Sequence, residues 1–197
     1  GGTRAQEQGL DLNRDYVKAE APETRASLAM FDKWDPDVYV DLHTTDGSFH
    51  GFALTYSPSL NPASYAPGFA GGLTRDTILP EIRARMHSRG FEVFDYGNFG
   101  REDGKAQLTD TVKDGWYTYE HTPRYGTNYY GMRGRVSILS EAFSHDPFKR
   151  RVASTYAFVQ EILSATARHA AQLEQIRSTA DNVQEANVPI RSRMTTK

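Results

Sequence analysis

The apolar positions of this 197-residue chain change rhythm several times, and each change marks an element. Residues 1–9 (GGTRAQEQG) carry no apolar rhythm and predict a loop. Ala21-Pro22 opens a helix, because proline in the first turn gives up an amide that has no intrahelical partner anyway. Leu28, Phe31 and Trp34 supply its apolar stripe, and Asp35-Pro36 ends it. Residues 37–42, rich in Val and Tyr, predict a strand, and 52–56 a second, shorter one. Residues 57–72 are a Pro/Gly/Ser/Asn loop. Helical spacing returns over 74–89, with a kink expected at Pro80 and Gly90 as the C-terminal cap. Strands are predicted at 91–96, 116–121 and 136–142. A long polar excursion spans 97–115, and an aromatic, glycine-rich loop (TPRYGTNYYGMRGR) separates the last two strands.

A long final helix starts at Asp146-Pro147, with Asp as cap and Pro in the first turn. Its apolar residues, Val152, Tyr156, Val159, Leu163, Thr166, Ala170 and Leu173, are spaced alternately by four and three. That is a narrow seam of 3.5-residue period, suited to packing on one neighbour. Past Ile176 the chain turns polar. Residues 1–176 therefore predict one α/β unit with a buried sheet, and 177–197 a tail or linker.

Composition narrows the chemistry. A net charge of -2 favours neither nucleic acid nor an anionic membrane as partner. Mean hydropathy is -0.64, and no run approaches 18 apolar residues, so no membrane span is predicted. The absence of cysteine excludes disulfides and thiolate metal sites.

Three strings concentrate the candidate chemistry: DLNRD at 11–15, DLHTTDG at 41–47 and ILSEAFS at 138–144. His43 follows a strand directly, and in open α/β sheets sites form beyond the carboxyl ends of strands. Neutral imidazole is the commonest metal ligand, but a histidine hydrogen-bonded at a strand end fits the same position. Asp46, three residues after His43, and the nearby His50 are further possible donors. The guanidinium of Arg14, beside Asn13, offers a fork that matches a carboxylate; the plainer alternative is a solvated turn with an Arg14–Asp15 pair. Glu141 sits in apolar company, where a carboxylate is rarely buried unless paired. Beside a metal-bound water it could accept a proton; otherwise it is an outward-facing strand residue. Arg133 and Arg135 could read a substrate carboxylate or be surface charge.

Taken in order, the three strings resemble the zinc metallocarboxypeptidase family over roughly residues 9–165. The resemblance implies an α/β fold, a mixed sheet with helices on both faces, zinc as cofactor, and a peptide with a free C-terminal carboxylate as substrate. It implies His43 as a metal ligand and Asp11 behind a ligand. It assigns Asn13 and Arg14 to the substrate carboxylate and Glu141 to general acid–base work. A mobile tyrosine is expected upstream of Glu141, with Tyr129 and Tyr130 as candidates, and a secreted or periplasmic enzyme is expected. The family's early His-x-x-Glu pair has no counterpart: none of His43, His50, His87, His121, His145 and His169 has Glu three residues on. The chain therefore resembles the C-terminal portion of such a catalytic domain, and is expected to be inactive alone. An aspartoacylase or succinylglutamate desuccinylase-like enzyme of the same fold also carries DLNR and DLH strings. There the catalytic Glu sits in a Glu-x-Gly context, whereas here Ala-Phe-Ser follows it. A third reading is a non-catalytic binding or structural piece.

Overall fold

The computed structural model describes residues 5–45, 49–99 and 115–180. Most of the polar excursion at 97–115 and the tail beyond 180 lie outside these residues.

Four strands form the main sheet: β1 (Val38–Thr44), β2 (Leu54–Pro58), β3 (Val93–Asp95) and, last in the chain, β6 (Val136–Ala142). Their order is β1-β6-β2-β3. β6 runs parallel to β1 and antiparallel to β2, and β2 runs parallel to β3. The sheet is thus mixed, as the resemblance implies. β6 is central, and all its residues but Glu141 are buried, which explains its near-continuous apolar run. β4 (Asn98–Phe99) and β5 (Trp116–Tyr117) form a separate antiparallel pair. The strand expected at 116–121 is thus two residues long.

One face of the sheet carries the core. Leu54, Tyr56, Val136 and Ile138 meet Ile78, Ile82 and Met86 from one helix and Phe158 and Ile162 from another. The first of these helices begins as α2 (Gly71–Leu73), widens into a π turn (Thr74–Ile78), and continues as α3 (Leu79–Ser88). Pro80 sits just past that turn. The wider winding takes the place of the expected kink, since proline lacks the amide that regular winding would use. The helix begins three residues earlier than the sequence predicts. A Cβ on Gly71 would stand 2.1 Å from the carbonyl oxygen of Ser64, so only glycine lets the helix start against that turn.

The opposite face is covered by α4 (Gly126–Met132), and α1 (Pro22–Trp34) packs on α4 through the rings of Phe31 and Tyr130. α4 lies within the stretch read as a loop; its two glycines and its polar residues mask a buried face. α1 begins where predicted. Asp15 accepts hydrogen bonds from the amides of Glu20 and Ala21 just ahead of it. Burial alone would raise the Asp15 pKa, but these hydrogen bonds outweigh it and hold the carboxyl below its usual value. Trp34, expected in the apolar stripe of α1, is 74% exposed.

The final helix is two: α5 (Phe148–Arg168) and α6 (Ala170–Ala180), broken at His169. His169 and Arg168 both pair with Glu81 of α3, at 3.1 and 2.7 Å. α6 runs past Ile176, and Arg177 pairs with Asp37. The face of α5 that packs inward is Ser154, Ala157, Phe158, Glu161, Ile162 and Ala165. The predicted seam is not that face. Small residues at 154, 157 and 165 let the helix approach the sheet closely, and this outweighs the larger side chains of the seam.

Candidate functional site

Strand alternation sets the site. Val38 and Val40 pack toward the core, so Tyr39, Asp41 and His43 of β1 face the other way. On β6 the same face carries Ser137, Leu139 and Glu141, and on β2 Thr55 and Ser57. α4 covers the part of this face nearest the start of β1: the Tyr39 and Tyr130 rings lie 4.1 Å apart, and Ser137 donates to the Thr127 carbonyl. Beyond α4, at the carboxyl ends of β1 and β6, stand Asp41, His43 and Glu141. His43 is the register partner of Glu141 across the parallel pair, and Thr55 is its partner on the other side. The structure thus brings together the imidazole and carboxylate that lie 98 residues apart in the sequence.

Asp41 adds a carboxylate that sequence reasoning did not single out. Its Oδ1 lies 2.8 Å from His43 Nε2, though off the line that a hydrogen bond prefers. The signal for it was the strand period: Asp41 is two residues before His43 and shares its face. Tyr119 is the second residue missed. Its ring packs on Tyr96 and Tyr125 at 5.7 and 5.1 Å. Burial pushes its phenol pKa up, the Asp41 charge adds to that, and Ser57 and Thr127 lie close to its hydroxyl.

Asn13 and Arg14 form a single 3₁₀ turn (Leu12–Arg14), capped by the Asp11 side chain, which accepts from the Asn13 amide at 3.0 Å. Asp11 therefore shapes this turn. Asn13 Oδ1 accepts from the Gly126 amide at 3.0 Å, which ties the turn to the start of α4. A Cβ at Gly126 would meet Tyr39 Oη at 2.7 Å, so this junction needs glycine. The Arg14 guanidinium lies 4.1 Å over the Tyr125 ring, and Tyr125 packs on Tyr119. A chain of contacts thus joins Arg14 to the polar face through two tyrosines.

Other candidates are placed elsewhere. Tyr130 is 1% exposed among Tyr16, Phe31, Tyr39 and Tyr129. Its register along β1 is that of Tyr39, about 13 Å from His43 at roughly 3.3 Å per residue. Tyr129 packs on Tyr16 and receives a hydrogen bond from Arg133. Arg133 pairs with Asp32 at 2.9 Å, and Arg135 pairs with Asp35. Both arginines brace the end of α1 at the opening of β6, six or more residues before Glu141. Neither tyrosine and neither arginine joins His43 and Glu141.

His50 lies beside the site, with Phe143, Phe52 and Trp116 around its ring. Its Nδ1 accepts from the Phe52 amide at 3.1 Å. Burial pulls its pKa down to about 4, the His145 charge works the same way, and Asp146 opposes both. The unfolded chain, with an ordinary histidine pKa of about 6.5, therefore takes up a proton that the folded chain refuses. The stability linked to His50 is fully present above about pH 6.5 and is lost as pH falls towards 4. His50→Gln is expected to flatten the fall in Tm between those two values. An unchanged acid limb would remove His50 from the account.

Among the described residues, no group of three His, Cys, Asp or Glu side chains is placed to hold a metal ion. Asp46 lies outside them. His43 by itself does not make a zinc site, so zinc would need donors from elsewhere. Calorimetry on the 197-residue chain is expected to show only weak zinc binding. Tight, stoichiometric binding would show that the ligand set is complete.

No family description matches the sequence, and no curated protein matches it. Among solved structures, the fold is similar to the crystal structure of a metallo-carboxypeptidase from Burkholderia cenocepacia, with a TM-score of 0.58 and 16% identity. The likeness covers 85% of this chain and 41% of that one, so the chain spans less than half the length of the protein it matches. The class defined here is thus an α/β fold of metallo-carboxypeptidase type, with a His/Asp/Glu face at the carboxyl ends of its parallel strands.

Proposed function

We propose that this chain is part of a zinc-dependent hydrolase that removes C-terminal residues from peptides. The observation that carries the reading is the in-register placement of His43 and Glu141 on one face of neighbouring parallel strands. The described donors are too few for zinc, so His43 would supply one ligand of a set completed by other residues. Glu141 would take a proton from the attacking water and hand it to the leaving amine. Asn13 and Arg14 would hold the substrate's terminal carboxylate, with Arg14 already oriented on Tyr125. Tyr119 reaches the same face, but its hydroxyl is buried there, so it would brace the face rather than touch a substrate. A non-catalytic role is the second reading, favoured by the absence of a three-donor group among the described residues.

The test concerns the free carboxylate, in the complete protein. Arg14→Ala should weaken transition-state binding by about 1.5–3 kcal/mol, the range for hydrogen bonds to charged groups. Amidating the substrate's C-terminus should cost the unmodified enzyme about as much, and should add little to the Arg14→Ala loss. Such non-additivity marks a direct pair. Independent, multiplying effects would mean that Arg14 does not hold the carboxylate. A complete protein without peptidase activity would favour the non-catalytic reading.

A further inference from the structure

We infer that His50 is an acid-released latch: its ring fastens the loop before β2 to the end of β6 and to β5, and a proton on its Nδ1 lets that junction open while the sheet stays folded. The junction borders the face that carries His43 and Glu141. Its opening depends on packing and charge alone, whether or not the protein cleaves peptides.

The direction of one hydrogen bond sets the proton state of the ring. The Phe52 amide donates to His50 Nδ1 at 3.1 Å, so Nδ1 offers a lone pair, and the neutral ring carries its hydrogen on Nε2. An imidazolium carries hydrogens on both nitrogens. Its Nδ1–H would point at the Phe52 N–H across the same 3.1 Å, donor against donor. Protonation and this geometry therefore exclude each other. Nε2 offers no compensation, because it is buried and has no hydrogen-bond partner among the described residues.

Three separate stretches of chain meet on the ring. Phe143, Phe52 and Trp116 lie at centroid distances of 4.7, 5.6 and 5.7 Å from it. Phe143 directly follows β6, Phe52 leads into β2, and Trp116 opens β5. Phe49 extends the cluster, 5.4 Å from Phe143 and 39% exposed, so one side of the junction already meets water. Backbone ties remain when the ring leaves: the Thr45 amide donates to the Ala142 carbonyl at 2.8 Å, and the Phe143 amide to the Ala53 carbonyl at 3.2 Å. The main core contains none of these rings. Release of His50 thus frees the junction and leaves the core packed.

The charges around the ring tune the point of release. The loop after β6 supplies His145, whose charge disfavours a second cation, and Asp146, which favours one and is itself paired with Arg150 of α5 at 3.0 Å. On the β3 side, Arg83 of α3 lies over the ring of Phe94, which stacks on Phe52, and pairs with Asp95 at 3.2 Å. On β6, Glu141 stands two residues before Phe143. Burial is the largest influence and holds the fastened ring at about 4, whereas a released ring returns to about 6.5. The released state therefore binds a proton that the fastened state refuses. The latch is fully closed above about pH 6.5, and its hold falls by up to about tenfold per pH unit as pH drops towards 4.

Tryptophan fluorescence reads the junction. The chain has two tryptophans, and Trp34 is 74% exposed, so Trp34→Phe leaves Trp116 as the reporter beside His50. On acid titration of the 197-residue chain with this substitution, the Trp116 signal should change in one step between pH 6.5 and 4, with far-UV circular dichroism unchanged across it. His50→Gln should abolish the step, because a glutamine oxygen still accepts from the Phe52 amide but takes up no proton. His145→Gln should move the midpoint to higher pH, and Asp146→Asn should move it to lower pH. Ring ¹⁵N shifts at neutral pH should place the His50 hydrogen on Nε2. A step that survives His50→Gln, or a Trp116 signal flat across this range, overturns the inference. So does a loss of circular dichroism in the same step, which would make the event global unfolding. A His50 hydrogen found on Nδ1 at neutral pH, or a midpoint indifferent to both neighbours, overturns it as well.

Discussion

Glu141→Gln in the complete protein should lower kcat by about 10²–10⁴-fold, the range for removing a positioned general acid or base. The substitution keeps the shape of the side chain and removes the carboxylate proposed above to accept the proton. Glu141 is the one residue of β6 that is not buried, and it lies between His43 of β1 and Thr55 of β2. The variant should therefore fold, with unchanged circular dichroism and an unchanged zinc content. The expected loss lies in turnover, with KM nearly constant, because the interaction is made in the transition state. Near-normal turnover by the Gln variant would reduce Glu141 to an ordinary strand residue.

The second large effect is on stability. Tyr130→Ala should destabilise the fold by about 3–5 kcal/mol, the cost of truncating a buried aromatic side chain. Tyr130 is 1% exposed and touches the rings of Phe31 and Tyr39 at centroid distances of 4.5 and 4.1 Å, so it joins α1 and α4 to β1. Its hydroxyl has only a long contact, 3.4 Å to Ser27 Oγ. Tyr130→Phe should therefore keep most of the stability. Urea unfolding of the two variants separates a packing role from a catalytic one. Activity measured on Tyr130→Phe completes the test: a stable but inactive Phe variant would return Tyr130 to the substrate's side.

The resemblance to zinc carboxypeptidases rests on short polar strings at strand ends, where an imidazole and a carboxylate can meet. DLHTT and LSEAF are of this kind, and the structure sets their His43 and Glu141 in register. The tyrosines were not legible in the same way. Tyr119, Tyr129 and Tyr130 look alike in sequence, and only their packing separates a phenol beside Asp41 from one locked among other rings. The same holds for Arg14 and Arg135. Each is an arginine near acids, yet one stacks on the Tyr125 ring and the other pairs with Asp35.

By itself the sequence determined the α/β class and most of the local elements, though not α4, the short β5 or the break at His169. Proline and aspartate mark the starts of α1 and α5, branched and aromatic runs mark β1, β2 and β6, and helices between the strands imply an α/β unit. These are properties of a few consecutive residues and of their periodicity. The tertiary structure decided which face of each element is buried and which distant side chains meet. The seam on α5 has the better apolar spacing, yet the Ala/Phe/Ile face packs inward, because close approach to the sheet favours small residues. His43, Asp41 and Glu141 share a face because β6 returns beside β1, and strand pairing across about a hundred residues is not written in any local window.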